Sequence, residues 1–314
     1  MLSKTDYYFL TIVKTGNLNQ AAQQLYVSQP SLSKYIQRLE AQLGTPLFDR
    51  SSSPMCLNGS GKLYLEYLRD AIEKEQTLLC QIGEINQMIR GTLRLGIPSF
   101  CGQCYLPQVL PTFTKEFPHV SLELYEKTGM KIEQALLDKE IDLAILHPPI
   151  IHENLTLQIL ARERILLVTQ KTSKDGGSSP SRNVAVQRGK FSDIVGKPII
   201  MPQVDQKLGR IVNNFFSFLD YRPTIYTRTE NVITAMELVA LGMGIGFTPE
   251  SGLNTVSENI LNCLQFFSFP DSLSDWQLSA VVRRGTAMSV FSRRFVELIS
   301  ESARQVGGFI YEAR

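Results

Sequence analysis

Gln29, Ser31, Ser33, Lys34, Gln37 and Arg38 fall on one side of a segment whose other side is Leu32, Ile36 and Leu39. These are the side chains that read nucleic acid. Glutamine pairs with adenine, and lysine or arginine pairs with guanine. Hydroxyls and cations hold backbone phosphates. The same pattern also fits an ordinary solvated amphipathic helix, so this face alone leaves both readings open. A second reactive spacing is Cys101-Gly102-Gln103-Cys104, placed just before an expected helix, where thiol pKa values can fall. It fits a redox switch, half of a metal site, or coincidence. His119, His147 and His152 form no helical His-x-x-x-His pair, so no zinc site is expected.

Two glycine-rich stretches fail as cofactor sites. Gly59-Ser60-Gly61-Lys62 resembles a phosphate loop, but the glycine that loop needs five residues earlier is Cys56. It reads as the turn into a helix. Gly242-Met243-Gly244-Ile245-Gly246 follows a helical pattern and precedes a strand, the reverse of a dinucleotide fingerprint. There is no Gly-x-Ser-x-Gly nucleophile elbow. No metal, no cofactor and no enzymatic activity are expected. An enzyme on the C-terminal part, with an accessory DNA-binding module, is the alternative.

The whole chain sets the frame. Its 314 residues suggest two or three units, and 43% apolar residues suffice for real cores. A net charge of only +2 makes any nucleic-acid binding local rather than global. The N-terminus lacks the pattern of a signal peptide, and no apolar run is long enough to span a bilayer. Five cysteines without framework spacing fit a reducing cytoplasm.

The elements that must carry the polar face come next. Tyr7, Phe9, Leu10 and Val13 predict a helix over 4–14, ended by Gly16. Asn17 with Gln20 three residues on suggests an approximate capping box for a helix over 18–25. Ala21 and Ala22 allow close packing. Tyr26-Val27-Ser28 is a tight connection, and Pro30 fits the first turn of a helix reaching about Leu43. Two short helices with a three-residue turn make a helix-turn-helix.

The stretch LNQAAQQLYVSQPSLSKYIQRLEAQLGTPLFDR closely resembles the N-terminal signature of LysR-type transcriptional regulators. The match includes the paired alanines, Leu25, Val27-Ser28-Gln29-Pro30, Leu32-Ser33, Ile36, Leu39-Glu40, Leu43-Gly44, Leu47-Phe48 and Arg50. The resemblance implies a winged helix-turn-helix with Gln29, Pro30, Ser33 and Lys34 facing the major groove of double-stranded DNA. Ser31 belongs to the same face, Arg38 lies one turn beyond Lys34, and Arg50 begins the wing. Glu40 is expected to orient its neighbours. The wing departs from the family: SSSPMCLNGSG after Arg50 holds no lysine or arginine. Residues 1–58 carry Lys4, Lys14, Lys34, Arg38 and Arg50 against Asp6, Glu40 and Asp49, so salt dependence should be modest.

From Gly61 to about Ile89, Leu65, Leu68, Ile72, Glu75, Leu79, Ile82, Asn86 and Ile89 step by three and four, a coiled-coil seam. Packing on its own domain is the other reading. The resemblance extends through this helix and favours self-association, as a dimer or a tetramer. Arg90-Gly91-Thr92 then reads as a hinge.

Beyond it, apolar runs alternate with helical patterns, an α/β arrangement. Strands are predicted at 93–98, 121–127, 142–146, 198–201, 224–226, 244–248, 265–269 and 277–283. Helices are predicted at about 105–117, 131–139, 207–219, 232–241 and 289–305. The run 172–182, rich in glycine, serine and proline, reads as a surface loop. GTLRLGIPS, DLAILHPP and LVALGMGIGFTPE carry the resemblance here more loosely. It implies a periplasmic-binding-protein-like effector domain of two α/β subdomains with a ligand cleft.

The expected division is residues 1–58 for DNA binding, 59–89 for the linker helix and 90–314 for the effector domain. Within the last, one subdomain takes about 92–165 plus 270–314, and the other about 166–269. Ligands in open α/β sheets sit beyond the carboxyl ends of strands. Ser99, Phe100, Thr128, His147, Pro202, Gln203 and Thr248 occupy those ends. They suit a small polar effector such as a carboxylate, although serine and threonine there equally cap the next helix. A transcriptional regulator of this kind also has RNA polymerase as an expected partner.

Overall fold

The computed structural model describes residues 3–49, 54–85, 89–150, 152–171, 184–269, 276–306 and 310–312. The chain forms two compact units, residues 1–91 with 138–140, and residues 92–137 with 141–314.

The first unit opens with α1 (Lys4–Thr15), α2 (Leu18–Gln24) and α3 (Gln29–Leu43). Local chemistry sets their ends. Ser3 and Asp6 form a reciprocal capping box on α1. Asn17 caps α2 alone, its Oδ1 accepting from the Asn19 and Gln20 amides at 2.8 and 3.2 Å. Gln20 therefore takes part only through its backbone, not as a box partner. Ser28 caps α3 and Pro30 sits in its first turn. Gly16 and Gly44 close α1 and α3 in the left-handed region. Each such cap contributes about 1 kcal/mol.

β1 (Phe48–Asp49) and β2 (Cys56–Leu57) pair antiparallel as the base of the wing, with Phe48 opposite Leu57. Then α4 runs from Gly59 to Ile85. Gly59 to Lys62 is thus the start of a helix, and the Asn58 side chain accepts from the Gly61 amide at 2.9 Å. Phe9, Ile12, Ala21, Ala22, Leu32, Ile36, Leu39, Leu47 and Leu68 form one buried core, with Leu65 packed against it. Leu65 and Leu68 were expected in a seam between chains. They serve this core instead, because the first turns of α4 pack onto α1 and the wing. Leu78, Leu79 and Ile82, further along, are exposed. Asn86 lies outside the described residues.

The second unit has two five-stranded sheets. β3 (Gly91–Gly96), β4 (Val120–Tyr125), β5 (Leu143–Leu146), β6 (Leu155–Glu163) and, later, β13 (Trp276–Arg283) make the first, in the order β4-β3-β5-β13-β6. α5 (Ser99–Glu116) follows β3 and α6 (Gly129–Leu137) follows β4. β3 and β5 are parallel, while β13 runs antiparallel to both β5 and β6.

The second sheet has the order β11-β7-β12-β8-β14. Its strands are β7 (Ile165–Gln170), β8 (Val184–Arg188), β11 (Gly246–Pro249), β12 (Leu264–Ser268) and β14 (Ile310–Glu312). Between β8 and β11 come β9 (Ile199–Pro202), α7 (Lys207–Phe218), β10 (Ile225–Thr229) and α8 (Val232–Ala240). β9 and β10 pair in parallel. A 3-10 turn over Glu250–Asn254 and α9 (Glu258–Asn262) precede β12, and α10 (Val290–Val306) precedes β14. Its core includes Leu166, Val168, Ile200, Phe215, Met236 and Phe247.

Two expectations need correction. Strands β6, β7 and β8 fill a stretch for which the sequence predicts none. The chain end does not stay with the first sheet, since β14 pairs in parallel with β8 of the second. That backbone edge takes the strand once α10 has brought the chain back. The loop expected over 172–182 lies outside the described residues.

Candidate DNA-binding helix and effector site

On α3, Leu32, Ile36 and Leu39 are buried, while Gln29, Pro30, Lys34, Gln37 and Arg38 are exposed. Ser31 and Ser33 are half-buried at its edge, and the Ser31 amide is taken by the Ser28 cap. The expected readers thus stand together on an open face, held by a rigid apolar rear. Glu40 turns inward and accepts from the Leu47 amide at 2.9 Å, tying α3 to the wing. Arg50 lies outside the described residues. Tyr26, which sequence reasoning assigned only to the turn, has φ 54° and is 96% exposed. An aromatic inside a three-residue turn, too short to bury it, was the available signal.

The strand-end residues divide into three groups. Ser99 and Thr128 are exposed. Ser99 opens α5 after β3, and Thr128 precedes α6 after β4. These strands are neighbours, joined by the Ile97 amide donating to the Tyr125 carbonyl at 3.1 Å. Gln203 is half-buried just after β9.

Phe100, Thr248 and Gly252 meet. A Cβ on Gly252 would stand 2.1 Å from Thr248 Oγ1 and 3.5 Å from the Phe100 ring. Phe100, from the first sheet's α5, packs against the core of the second. Thr248 is fully buried and its hydroxyl donates to the Pro249 carbonyl. Pro202 is also buried. Both were expected to meet ligand, and in this structure both are buried, because β9 and β11 sit inside the second core.

His147 is likewise turned into the protein. Its Nδ1 lies 2.7 Å from the Gln277 carbonyl and its Nε2 3.1 Å from Cys101 Sγ. Burial pushes its pKa down to about 3, helped by the Lys207 charge, so the ring is neutral. The ring stacks on Trp276 with centroids 3.9 Å apart. Both ring nitrogens of His147, expected at the effector site, thus have partners within the protein.

Cys101 and Cys104 do not precede a helix. They lie inside α5, which starts at Ser99, and both are buried. Burial pushes both thiols up, with Glu163 nearby adding to the effect. Among the described residues, no group of His, Cys, Asp and Glu is arranged to hold a metal ion.

Sequence reasoning gave no role to Glu163, the last residue of β6, or to Tyr105 and Ser251. The Tyr105 hydroxyl donates to Glu163, and the Ser251 amide donates to it at 2.9 Å. Burial raises the Glu163 pKa, and these two bonds oppose that rise. Arg164 alone separates β6 of the first sheet from β7 of the second, and its Nε lies 2.5 Å from Glu250. The passage between sheets is therefore pinned on both sides by buried polar groups.

Fold and site together define a helix-turn-helix protein joined to a mixed-sheet binding domain. Residues 7–62 match the bacterial regulatory helix-turn-helix protein, lysR family, and residues 86–304 match the LysR substrate binding domain. The chain belongs to the LysR family of transcriptional regulators.

Among similar proteins is an uncharacterized HTH-type transcriptional regulator, YcgK, of Bacillus subtilis, 28% identical over 313 residues. The match covers 96% of this chain and 95% of that protein. The transcriptional regulator AlsR of the same organism is 27% identical, covering 78% of this chain and 79% of that protein. Full-length CbnR complexed with its target DNA is 20% identical with a TM-score of 0.61, covering 96% of this chain and all of that one (100%). HinK of Pseudomonas aeruginosa gives 20% and 0.56, with 96% and 97% covered. These relatives are transcriptional regulators and not enzymes. No helix among the described residues is long and apolar enough to cross a membrane.

Proposed function

We propose that α3 reads operator DNA through Gln29 and Lys34, with Pro30, Ser31, Ser33, Arg38 and Arg50 completing its hold on the duplex. A small polar effector, a carboxylate in the first instance, binds where Ser99 and Thr128 leave adjacent strands. Residues 1–58 are the DNA-binding domain, 59–89 the dimerisation helix and 90–314 the effector domain. The protein works in the cytoplasm as a dimer or tetramer. Effector binding changes the geometry of that assembly on DNA and thereby the access of RNA polymerase.

The observation that carries this reading is the split character of α3, apolar and buried behind, polar and exposed in front. The similar protein CbnR has been solved in complex with its target DNA, which supports a nucleic-acid role for the same fold. A ligand can shift the assembly only by binding one of its states better than another.

The test is genome-wide occupancy of the full chain, with and without small carboxylates in the medium. Discrete sites, with occupancy that changes with one carboxylate and changes less in Ser99→Ala and Thr128→Val, are expected. Uniform, sequence-independent occupancy would contradict the reading.

A further inference from the structure

The first three helices are closed by different residues. α1 and α3 run into Gly16 and Gly44, at φ 61° and 70°. α2 runs into Leu25 and then Tyr26, at φ 54°. A side chain in this left-handed region is strained, and glycine is the residue that a helix exit favours there.

Two backbone bonds fix the conformation. The Val27 amide donates to the Ala22 carbonyl at 3.0 Å, and the Tyr26 amide donates to the Gln23 carbonyl at 3.2 Å. This doubled closure requires a left-handed residue at the helix exit. Leu25 and Val27 pack against the buried core of the unit. Tyr26, between them, is left outside at 96% exposure. Its ring adds nothing to the core, and a glycine would hold the same turn without strain. Strain kept where no packing offsets it points to function.

The surroundings of Tyr26 indicate what it meets. It lies two residues before the Ser28 cap and three before Gln29. Gln23, Gln24, Ser28, Gln29 and Pro30 around it are all exposed, so this surface continues into the polar face of α3. Residues 7–39 hold no aspartate or glutamate, while Lys14, Lys34 and Arg38 are cationic. That balance suits the approach of a polyanion. In a helix-turn-helix the first helix crosses the DNA backbone, and the N-terminal residues of the second contact base edges. The turn between them falls between those two contacts. A phenol hydroxyl is a donor of the kind that holds a phosphate oxygen.

Resting on the reading of α3 above, we propose that Tyr26 is a DNA-backbone anchor whose hydroxyl donates to a phosphate oxygen beside the bases that Gln29 reaches. It fixes how α3 sits in the groove and carries no sequence information of its own.

A backbone anchor acts on any duplex. The full chain is therefore titrated against a duplex of mixed sequence and, in parallel, against an operator recovered by occupancy mapping, each over a range of potassium chloride concentrations. Tyr26→Phe should weaken both complexes by about three- to tenfold, the loss of one hydrogen bond. Its salt dependence should match wild type, because a neutral donor releases no counterion. Tyr26→Gly, which suits φ 54°, should melt above wild type and yet bind both duplexes at least as weakly as Tyr26→Phe.

Tyr26→Phe binding both duplexes as wild type does overturns the proposal. So does a loss seen on the operator alone, which would mean a base contact. A Tyr26→Gly chain that melts below wild type shows that the tyrosine serves the fold, and overturns it too. The reading of α3 fails separately. If Gln29→Ala and Lys34→Ala lose operator affinity while Tyr26→Phe does not, that reading stands and only the anchor is removed.

Discussion

The Nε2 of His147 lies 3.1 Å from the Sγ of Cys101, and its Nδ1 lies 2.7 Å from the carbonyl of Gln277. A carbonyl can only accept, so Nδ1 carries the proton and Nε2 accepts from the thiol. Cys101 is thereby a hydrogen-bond donor in a packed stack. A peroxide-reactive cysteine needs a thiolate and access to solvent, and burial denies Cys101 both.

Selective alkylation measures this. In the native protein Cys56 and Cys263, both exposed, should label with iodoacetamide within minutes. Cys101 and Cys104 should stay unlabelled until denaturant is added, as read by peptide mass mapping. A reporter strain carrying Cys101→Ser with Cys104→Ser should respond to the natural effector as wild type does. Rapid native labelling of Cys101, with a peroxide response that only the double variant loses, would favour redox sensing instead.

Stability should fall with acid through His147. In the folded chain its pKa is pushed down to about 3, while an unfolded histidine titrates near 6.5. Below about pH 6.5 the unfolded state therefore binds more protons than the folded one, and stability is lost as pH falls toward 3. At pH 5 this amounts to about 2 kcal/mol. Glu163, raised by burial, acts in the opposite sense at the acid end, since its folded state takes the proton first. Subtracting the melting curves of His147→Gln from those of wild type isolates the histidine. The difference should shrink between pH 7 and pH 5, and a constant difference would contradict the assignment.

Self-association should depend on the far half of α4. Leu78, Leu79 and Ile82 are exposed there, whereas Leu68 is buried in the helix-turn-helix core. Leu79→Asp would place a charge in an apolar contact between chains, costing a few kcal/mol per pair. Light scattering of the full chain should show a shift toward smaller species. Leu65→Asp should instead lower the melting temperature, because it strikes the intramolecular core. A Leu79→Asp chain as large in solution as wild type places the contact elsewhere.

Much of this architecture was legible because local signals agreed. Asn17, Ser28 and Gly44 mark the ends of α2 and α3 to within a residue. Leu32, Ile36 and Leu39 fix which face of α3 is buried. The start of α5 was misread by six residues. Gly102 lies inside that helix as a contact glycine: a Cβ there would come 3.2 Å from the Glu126 carboxylate. β6 was hidden because its exposed face and the charges at Arg162, Glu163 and Arg164 blur the alternation.

The candidate site was legible only in part. Ser99 and Thr128 follow from strand ends, a local property. The environment of His147 does not, because its Nδ1 partner, the Gln277 carbonyl, lies more than a hundred residues away in the chain. The contacts around Trp276 join Cys101 of α5, His147 just after β5 and Lys207 of α7, and no spacing in the chain announces them.

The central claim is that α3 reads base edges, and a specificity measurement tests it most directly. Operator affinity of wild type, Gln29→Ala and Lys34→Ala is measured at one salt concentration against the native operator and each single base-pair substitution. Losing a good base contact costs on the order of 1–3 kcal/mol. Gln29→Ala should lose affinity for the native operator and, at one position, stop discriminating between base pairs. Lys34→Ala should do the same at another position, or weaken all operators evenly if it holds a phosphate. If both variants bind every operator as wild type does, with unchanged circular dichroism, then α3 is not the reading helix.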